Sequence, residues 1–158
     1  MNPTRITCLA LCLVWTAQAQ EKSKAPQVCA WIVETKEPDD LHQFNLWLEA
    51  NSDVDFLYVI GGAGVITPSG KSHSPSSGTF NLHARKAEKP WGFGTTANPP
   101  AKVDITVELR QTPTDIFSKV ETPLLARFVF RRDIPESEKA VPPIFAKRQC
   151  APLSGAKN

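Results

Sequence analysis

The sequence predicts an all-β fold in which two antiparallel sheets stack face to face. Apolar and polar residues alternate with a period of two in successive segments, which is typical of strands with one buried face. Fourteen prolines interrupt the chain too often for long helices. Strands of this kind bury their apolar faces only when two sheets pack together, so we expect an immunoglobulin-like β-sandwich of about seven short strands.

The first residues are typical of a secretory signal peptide. Arg5 supplies a positive charge, Ile6 to Trp15 is apolar, and Ala17 to Ala19 reads as a small-x-small cleavage site. We expect a cleaved signal over residues 1–19 and a polar linker over 20–27, the alternative being an uncleaved anchor at the membrane surface. The exported chain is then expected in the periplasm, or secreted as a second choice, without stable membrane insertion.

Cleavage of this signal would remove two of the four cysteines and leave Cys29 and Cys150. Two cysteines in an exported chain most simply pair with each other, although two free thiols remain the alternative. In the chain-entropy model, closing a loop of roughly 120 residues stabilises the fold by about 4–5 kcal/mol. Neither cysteine lies in a C-x-x-C motif or a Cys/His cluster, so redox catalysis and zinc binding lack support.

Six segments alternate as strands do, and together they predict a sandwich domain over residues 28–132. The clearest runs from Lys102 to Arg110, with aliphatic residues at every second position. The turn residues Asn51 to Asp53 predict a hairpin between the second and third strands. Beyond residue 132, a proline-rich tail over 133–158 is expected to be irregular and tethered by Cys150. The strands are Val28–Glu34, Gln43–Ala50, Asp55–Ile60, Gly78–Ala84, Lys102–Arg110 and Leu124–Arg131.

The stretch from Tyr58 to Ser74 looks at first like a phosphate-binding loop, but its spacing is wrong. Five residues separate Gly64 from the Gly-Lys-Ser that begins at Gly70, where the phosphate loop requires four. Pro68 has no N–H to offer a phosphate, and the residues after the lysine, Ser72 to Gly78, have the composition of turns and loops rather than of the helix that such a loop requires. We therefore expect no nucleotide, and instead a strand that breaks at Gly61–Gly62, bends and enters a serine-rich crossover.

Charge and polar motifs give no support for an enzyme. The net charge is +2 without a basic stripe, which argues against nucleic acid as a partner. His42, His73 and His83 lack metal or catalytic spacing and are expected on the surface or in loops, and no serine lies in a Gly-x-Ser-x-Gly elbow. Carboxylates at Asp39–Asp40 and Asp53–Asp55 are expected to cap turns rather than bind calcium. We expect no catalytic residue, cofactor or metal.

The outward side chains of the predicted strands suggest a binding surface instead. Trp47 is expected to point outward from a polar sheet face, where a large aromatic side chain is costly to expose. The alternative is that a loop carrying Trp91 and Phe93 covers it, and that the charged residues are merely solvated. The candidate binding residues are Trp47, Lys102, Arg110, Arg127 and Arg131.

Part of the chain also resembles a known family. The run of Tyr58–Val59, Gly64, Ser69, Ser72 and Gly78–Phe80 is similar to a pattern in the curli-assembly inhibitors of the CsgC/CsgH type. The similarity extends from the strand at Cys29 to the strand ending at Leu109, about half of the chain. It implies a small periplasmic immunoglobulin-like protein, not an enzyme, and it assigns no individual binding residue. The Cys-x-Cys motif of the CsgC branch is absent here.

Two functions are therefore expected from the sequence. The first is a periplasmic chaperone-like binding protein that keeps a curli-type amyloid subunit soluble before secretion. The alternative is a secreted ligand-binding module that takes carbohydrate on the rings of Trp47, Trp91 and Phe93.

Overall fold

The computed structural model describes residues 26–90, 94–113, 122–136, 144–145 and 148–154. A short 3-10 turn, Pro38–Asp40, accompanies the strands. The predicted signal peptide lies outside the described residues. The strands are β1 Gln27–Lys36, β2 His42–Ala50, β3 Val54–Thr67, β4 Gly70–Leu82, β5 Ala87–Glu88, β6 Gly94–Ala97, β7 Ala101–Gln111, β8 Leu124–Ile134, β9 Ile144–Phe145 and β10 Gln149–Pro152.

The strands form two antiparallel sheets, which confirms the predicted all-β sandwich. In the first sheet, β1 and β2 are central, β9 and β10 pair with β1, and β5 and β6 pair with β2. The second sheet has the order β4–β3–β7–β8. The chain crosses between the sheets after β2, β4, β6 and β8.

The core lies between the two sheets and follows the alternation in the sequence. On β7, Val103, Ile105, Val107 and Leu109 are buried, while the residues between them face outward. Leu46 of the first sheet is also fully buried. Each such side chain stabilises the fold by about 1.5–3 kcal/mol relative to an exposed one.

The predicted hairpin between the second and third strands is wrong. β2 pairs with β1 along its whole length, whereas β3 belongs to the other sheet. Residues Asn51 and Asp53 form a corner between the sheets: the Asn51 side chain accepts a hydrogen bond from the Gln27 N–H, and Asp53 accepts one from Ala84. Turn residues suit such a corner as well as a hairpin, so the local sequence did not distinguish the two.

The predicted break in the glycine stretch is also wrong. β3 continues unbroken through Gly61–Gly62 to Thr67, turns at Pro68–Ser69, and β4 returns beside it from Gly70. Strands on both sides of β3 pair with it, and this pairing holds the glycines extended. The segment expected to be a serine-rich crossover is thus most of β4.

The tail, expected to be irregular, contributes the short strands β9 and β10. The predicted Cys29–Cys150 disulfide is present and joins β10 to β1. Leu153 is buried, and the Gln149 side chain donates a hydrogen bond to the carbonyl of Val129 on β8. The tail therefore joins both sheets along one side of the sandwich.

Candidate functional site

Four of the five candidate binding residues lie together on the outward side of β7 and β8. Lys102 and Arg110 project from β7, and Arg127 and Arg131 from β8. Cross-strand register places Arg127 opposite Glu108 and Arg131 opposite Asp104. We call this surface the charged face, defined by Lys102, Asp104, Glu108, Arg110, Arg127 and Arg131.

The cations of the charged face differ in how firmly they are held. Arg110 lies 2.8 Å from Glu108 and donates a second hydrogen bond to the Thr122 carbonyl. Arg127 is 3.9 Å from Glu108, and the Arg131–Asp104 pair, at 3.4 Å, is largely exposed. Exposed pairs of this kind contribute at most about 1 kcal/mol. Arg127 and Arg131 can therefore exchange their partners for a bound anionic group at little cost.

In the middle of the same sheet, the outward side of β3 carries glycines instead of larger side chains. Gly62 and Gly64 of β3 leave a hollow of about 220 Å³, beside which lie His73 of β4 and Asp104 of β7. The His73 ring leans over Gly62, since a Cβ built there would come within 2.9 Å of it. Val129 on β8 is 40% exposed. The outward surface of the second sheet thus has a hollow at its glycines, bordered by polar and charged side chains.

β4 forms one edge of the second sheet, and among the described residues it pairs only with β3. Pro75 lies in its middle, opposite Gly62. A proline is tolerated in an edge strand when its nitrogen faces the open side. Because hydrogen-bonding direction alternates along a strand, the N–H groups of His73, Ser77 and Thr79 also face that side. We call this open side the β4 edge.

The fifth candidate, Trp47, lies on the outward side of the other sheet. Its ring is half-buried and stacks on Trp31, with ring centroids 6.5 Å apart. Arg148 lies over the Trp31 ring at 5.0 Å and pairs with Glu49 at 3.0 Å. Sequence reasoning missed this Trp31 partner, because only the β1–β2 register places the two rings side by side. Trp91 and Phe93, expected to cover Trp47, lie outside the described residues.

A buried polar cluster joins the two sheets, and no pattern in the sequence indicated it. His42, expected on the surface, is fully buried, and its Nδ1 lies 2.7 Å from Glu34. Arg132 of β8 donates to the other Glu34 oxygen at 2.9 Å. The His42 Nε2 has no hydrogen-bond partner among the described residues. The pairing of β1 with β2 brings Glu34 and His42 together across eight residues of sequence.

Two surface ion pairs affect carboxylates near the turns. A hydrogen bond from His83 holds the pKa of Glu88 below its usual value, despite some desolvation. The Lys36 ammonium, 2.6 Å from Asp40, holds the pKa of that carboxyl below its usual value by hydrogen bonding and charge. Both carboxylates are therefore ionised at neutral pH, and both lie away from the charged face.

In the described ranges, no helix is long and apolar enough to cross a membrane, and no group of three or more His, Cys, Asp or Glu residues is placed to hold a metal ion.

Comparison of the chain with known protein families, with curated proteins and with solved structures finds no match.

Proposed function

We propose that this chain is a periplasmic chaperone-like binding protein that keeps a curli-type amyloid subunit soluble by pairing transiently with its extended segments. The observation that carries the proposal is the β4 edge, a strand of 13 residues paired on one side only within the described part of the chain. An extended client segment can add to such an edge through main-chain hydrogen bonds, which read no particular sequence.

The composition of β4 favours weak and reversible binding. Pro75 has no N–H, so the β4 edge has one hydrogen-bond donor fewer at this position, and Lys71 places a charge on the strand. Both features are devices by which natural sheets avoid permanent edge-to-edge association. A client would pair with short stretches on either side of Pro75 and then dissociate, so the edge would mask the client without templating a fibre.

The charged face supports the same proposal because it can accelerate the association of a client with the protein. It lies on the outward side of the sheet whose edge is β4, and it carries the loosely held cations Arg127 and Arg131. Complementary charge accelerates association more than it strengthens the final complex. A client with exposed carboxylates would therefore be steered to this sheet.

The first prediction concerns fibre formation by a curli-type subunit, followed by dye fluorescence. We expect substoichiometric amounts of the protein to lengthen the lag phase. Ser77→Pro removes an outward N–H from the β4 edge without breaking the pairing with β3, and about fivefold more of this variant should be required. Ser77→Ala keeps the N–H and is the matched control. An unchanged lag at equimolar parent protein would refute the proposal, and equal potency of the two variants would refute the β4 edge as its site.

The second prediction concerns the charged face. The double variant Arg127→Gln/Arg131→Gln should associate about threefold more slowly with the subunit and lose part of its dependence on ionic strength. Surface plasmon resonance at low and high salt measures both effects. Lys86→Gln/Lys89→Gln removes the same charge near β5 in the other sheet and should associate like the parent. Identical rates for the two double variants would contradict steering by the charged face.

A further inference from the structure

A cavity of about 680 Å³, widely open to solvent, lies at the end of the sandwich where β3 turns into β4, β7 begins and β8 ends. Its volume falls in the range of small-molecule sites, about 300–1,000 Å³. It is separate from the β4 edge, and its residues come from segments far apart in the sequence.

Most of the cavity lining is apolar and rigid. Pro68 lies in the β3–β4 turn, Pro100 precedes β7, and Pro135 follows β8. Each proline fixes its own backbone φ, so this part of the wall needs little ordering when a ligand binds. Ile66 and Ile134 supply further aliphatic surface. The lining therefore suits a branched aliphatic group.

Two opposite charges also line this cavity, and neither has an ion-pair partner in the described residues. Lys102 of β7 and Asp133 of β8 are directly opposite each other in the antiparallel register, yet they form no salt bridge. The third charged group, Arg132, is already held by Glu34. The Lys102 ammonium and the Asp133 carboxylate are thus both available to a ligand, beside an apolar wall.

We propose that this cavity binds a zwitterionic α-amino acid with an apolar side chain. The ligand carboxylate pairs with the Lys102 ammonium, the ligand ammonium pairs with the Asp133 carboxylate, and the side chain packs against the prolines and Ile66. Both ligand charges then have a partner of opposite sign, as a partly desolvated zwitterion requires. The inference does not depend on the amyloid client.

The test is a titration of the oxidised, ¹⁵N-labelled protein, in which backbone amide shifts of Ile66, Ala101 and Ile134 are followed by NMR. The ligands are L-leucine, N-acetyl-L-leucine, which lacks the ammonium, and L-leucinamide, which lacks the carboxylate. Leucine should give saturable shifts at these amides, and each derivative should bind about tenfold more weakly.

Variants assign each charge separately. Lys102→Gln should weaken leucine about tenfold and leave leucinamide unchanged, while Asp133→Asn should weaken leucine about tenfold and leave N-acetylleucine unchanged. Lys71→Gln removes a cation that lies on the other side of Ile66 in the sheet and should bind leucine like the parent. Thermal unfolding checks that these exposed substitutions leave the fold intact.

Three results would overturn the inference. In the first, leucine gives no saturable shifts around the cavity. In the second, the two derivatives bind as tightly as leucine. In the third, Lys102→Gln and Asp133→Asn both bind leucine like the parent. A protein that binds leucine but leaves fibre lag times unchanged would support this site and contradict the proposed chaperone function. The opposite pattern would keep the chaperone function and reject the site.

Discussion

Replacing Cys29 and Cys150 together by alanine should lower the free energy of unfolding by about 4–5 kcal/mol. The two cysteines are 121 residues apart in sequence, so the disulfide closes almost the whole folded chain into one loop. In the chain-entropy model, the bridge stabilises the protein by restricting the unfolded chain, and this effect grows with loop length. Such a loss is a large share of the 5–15 kcal/mol that stabilises a typical domain.

Urea unfolding followed by circular dichroism measures this difference between the oxidised protein and the double variant. The native strands should persist in the variant, because β10 keeps its hydrogen bonds to β1. Parent protein that has been reduced should unfold at the same urea concentration as the variant, which makes it a control for the alanine side chains. Equal midpoints for oxidised parent and variant would contradict the expected role of the bridge.

Arg132→Met should destabilise the protein by about 3–5 kcal/mol, because it removes the cation from a buried carboxylate. Glu34 is only 3% exposed and keeps His42 as its remaining partner. Removing one member of a buried ion pair costs far more than removing both, since the remaining charge loses its compensation. The same urea titration measures the shift.

Two variants test whether burial causes this loss. Arg131→Met removes the neighbouring arginine, whose pair with Asp104 is exposed, and should cost no more than about 1 kcal/mol. The triple variant Glu34→Met/His42→Leu/Arg132→Met removes every member of the cluster and should recover most of the stability lost in Arg132→Met. Equal losses for Arg131→Met and Arg132→Met would show that burial of Glu34 is not the cause of the destabilisation.

The strand at Lys102–Arg110 was predictable because its burial follows from the sequence alone. A period of two places Val103, Ile105 and Val107 on one face, and any sandwich must turn that face inward. The same alternation correctly placed Lys102 and Arg110 on the outward side. Local periodicity thus predicted both the core of β7 and its part of the charged face.

The glycine stretch and the buried cluster were not predictable in the same way. Gly61–Gly62 carries no side-chain signal, so whether the strand continues depends on the two neighbours that pair with it. His42 and Glu34 are polar residues near strand ends, and such residues usually lie at the surface. They are buried because the β1–β2 register brings them together and Arg132 reaches Glu34 from the other sheet.

By itself, the sequence predicted that the chain forms a two-layer β structure, which side of β7 faces the core, and the pairing of Cys29 with Cys150. These properties follow from local alternation and from the number of cysteines that remain after the predicted signal. Only the tertiary structure decided which strands are neighbours, that β4 has an open edge, and that Lys102 and Asp133 face each other beside a cavity. Strand order and register depend on contacts between distant segments, and the pattern within one segment does not specify its partner.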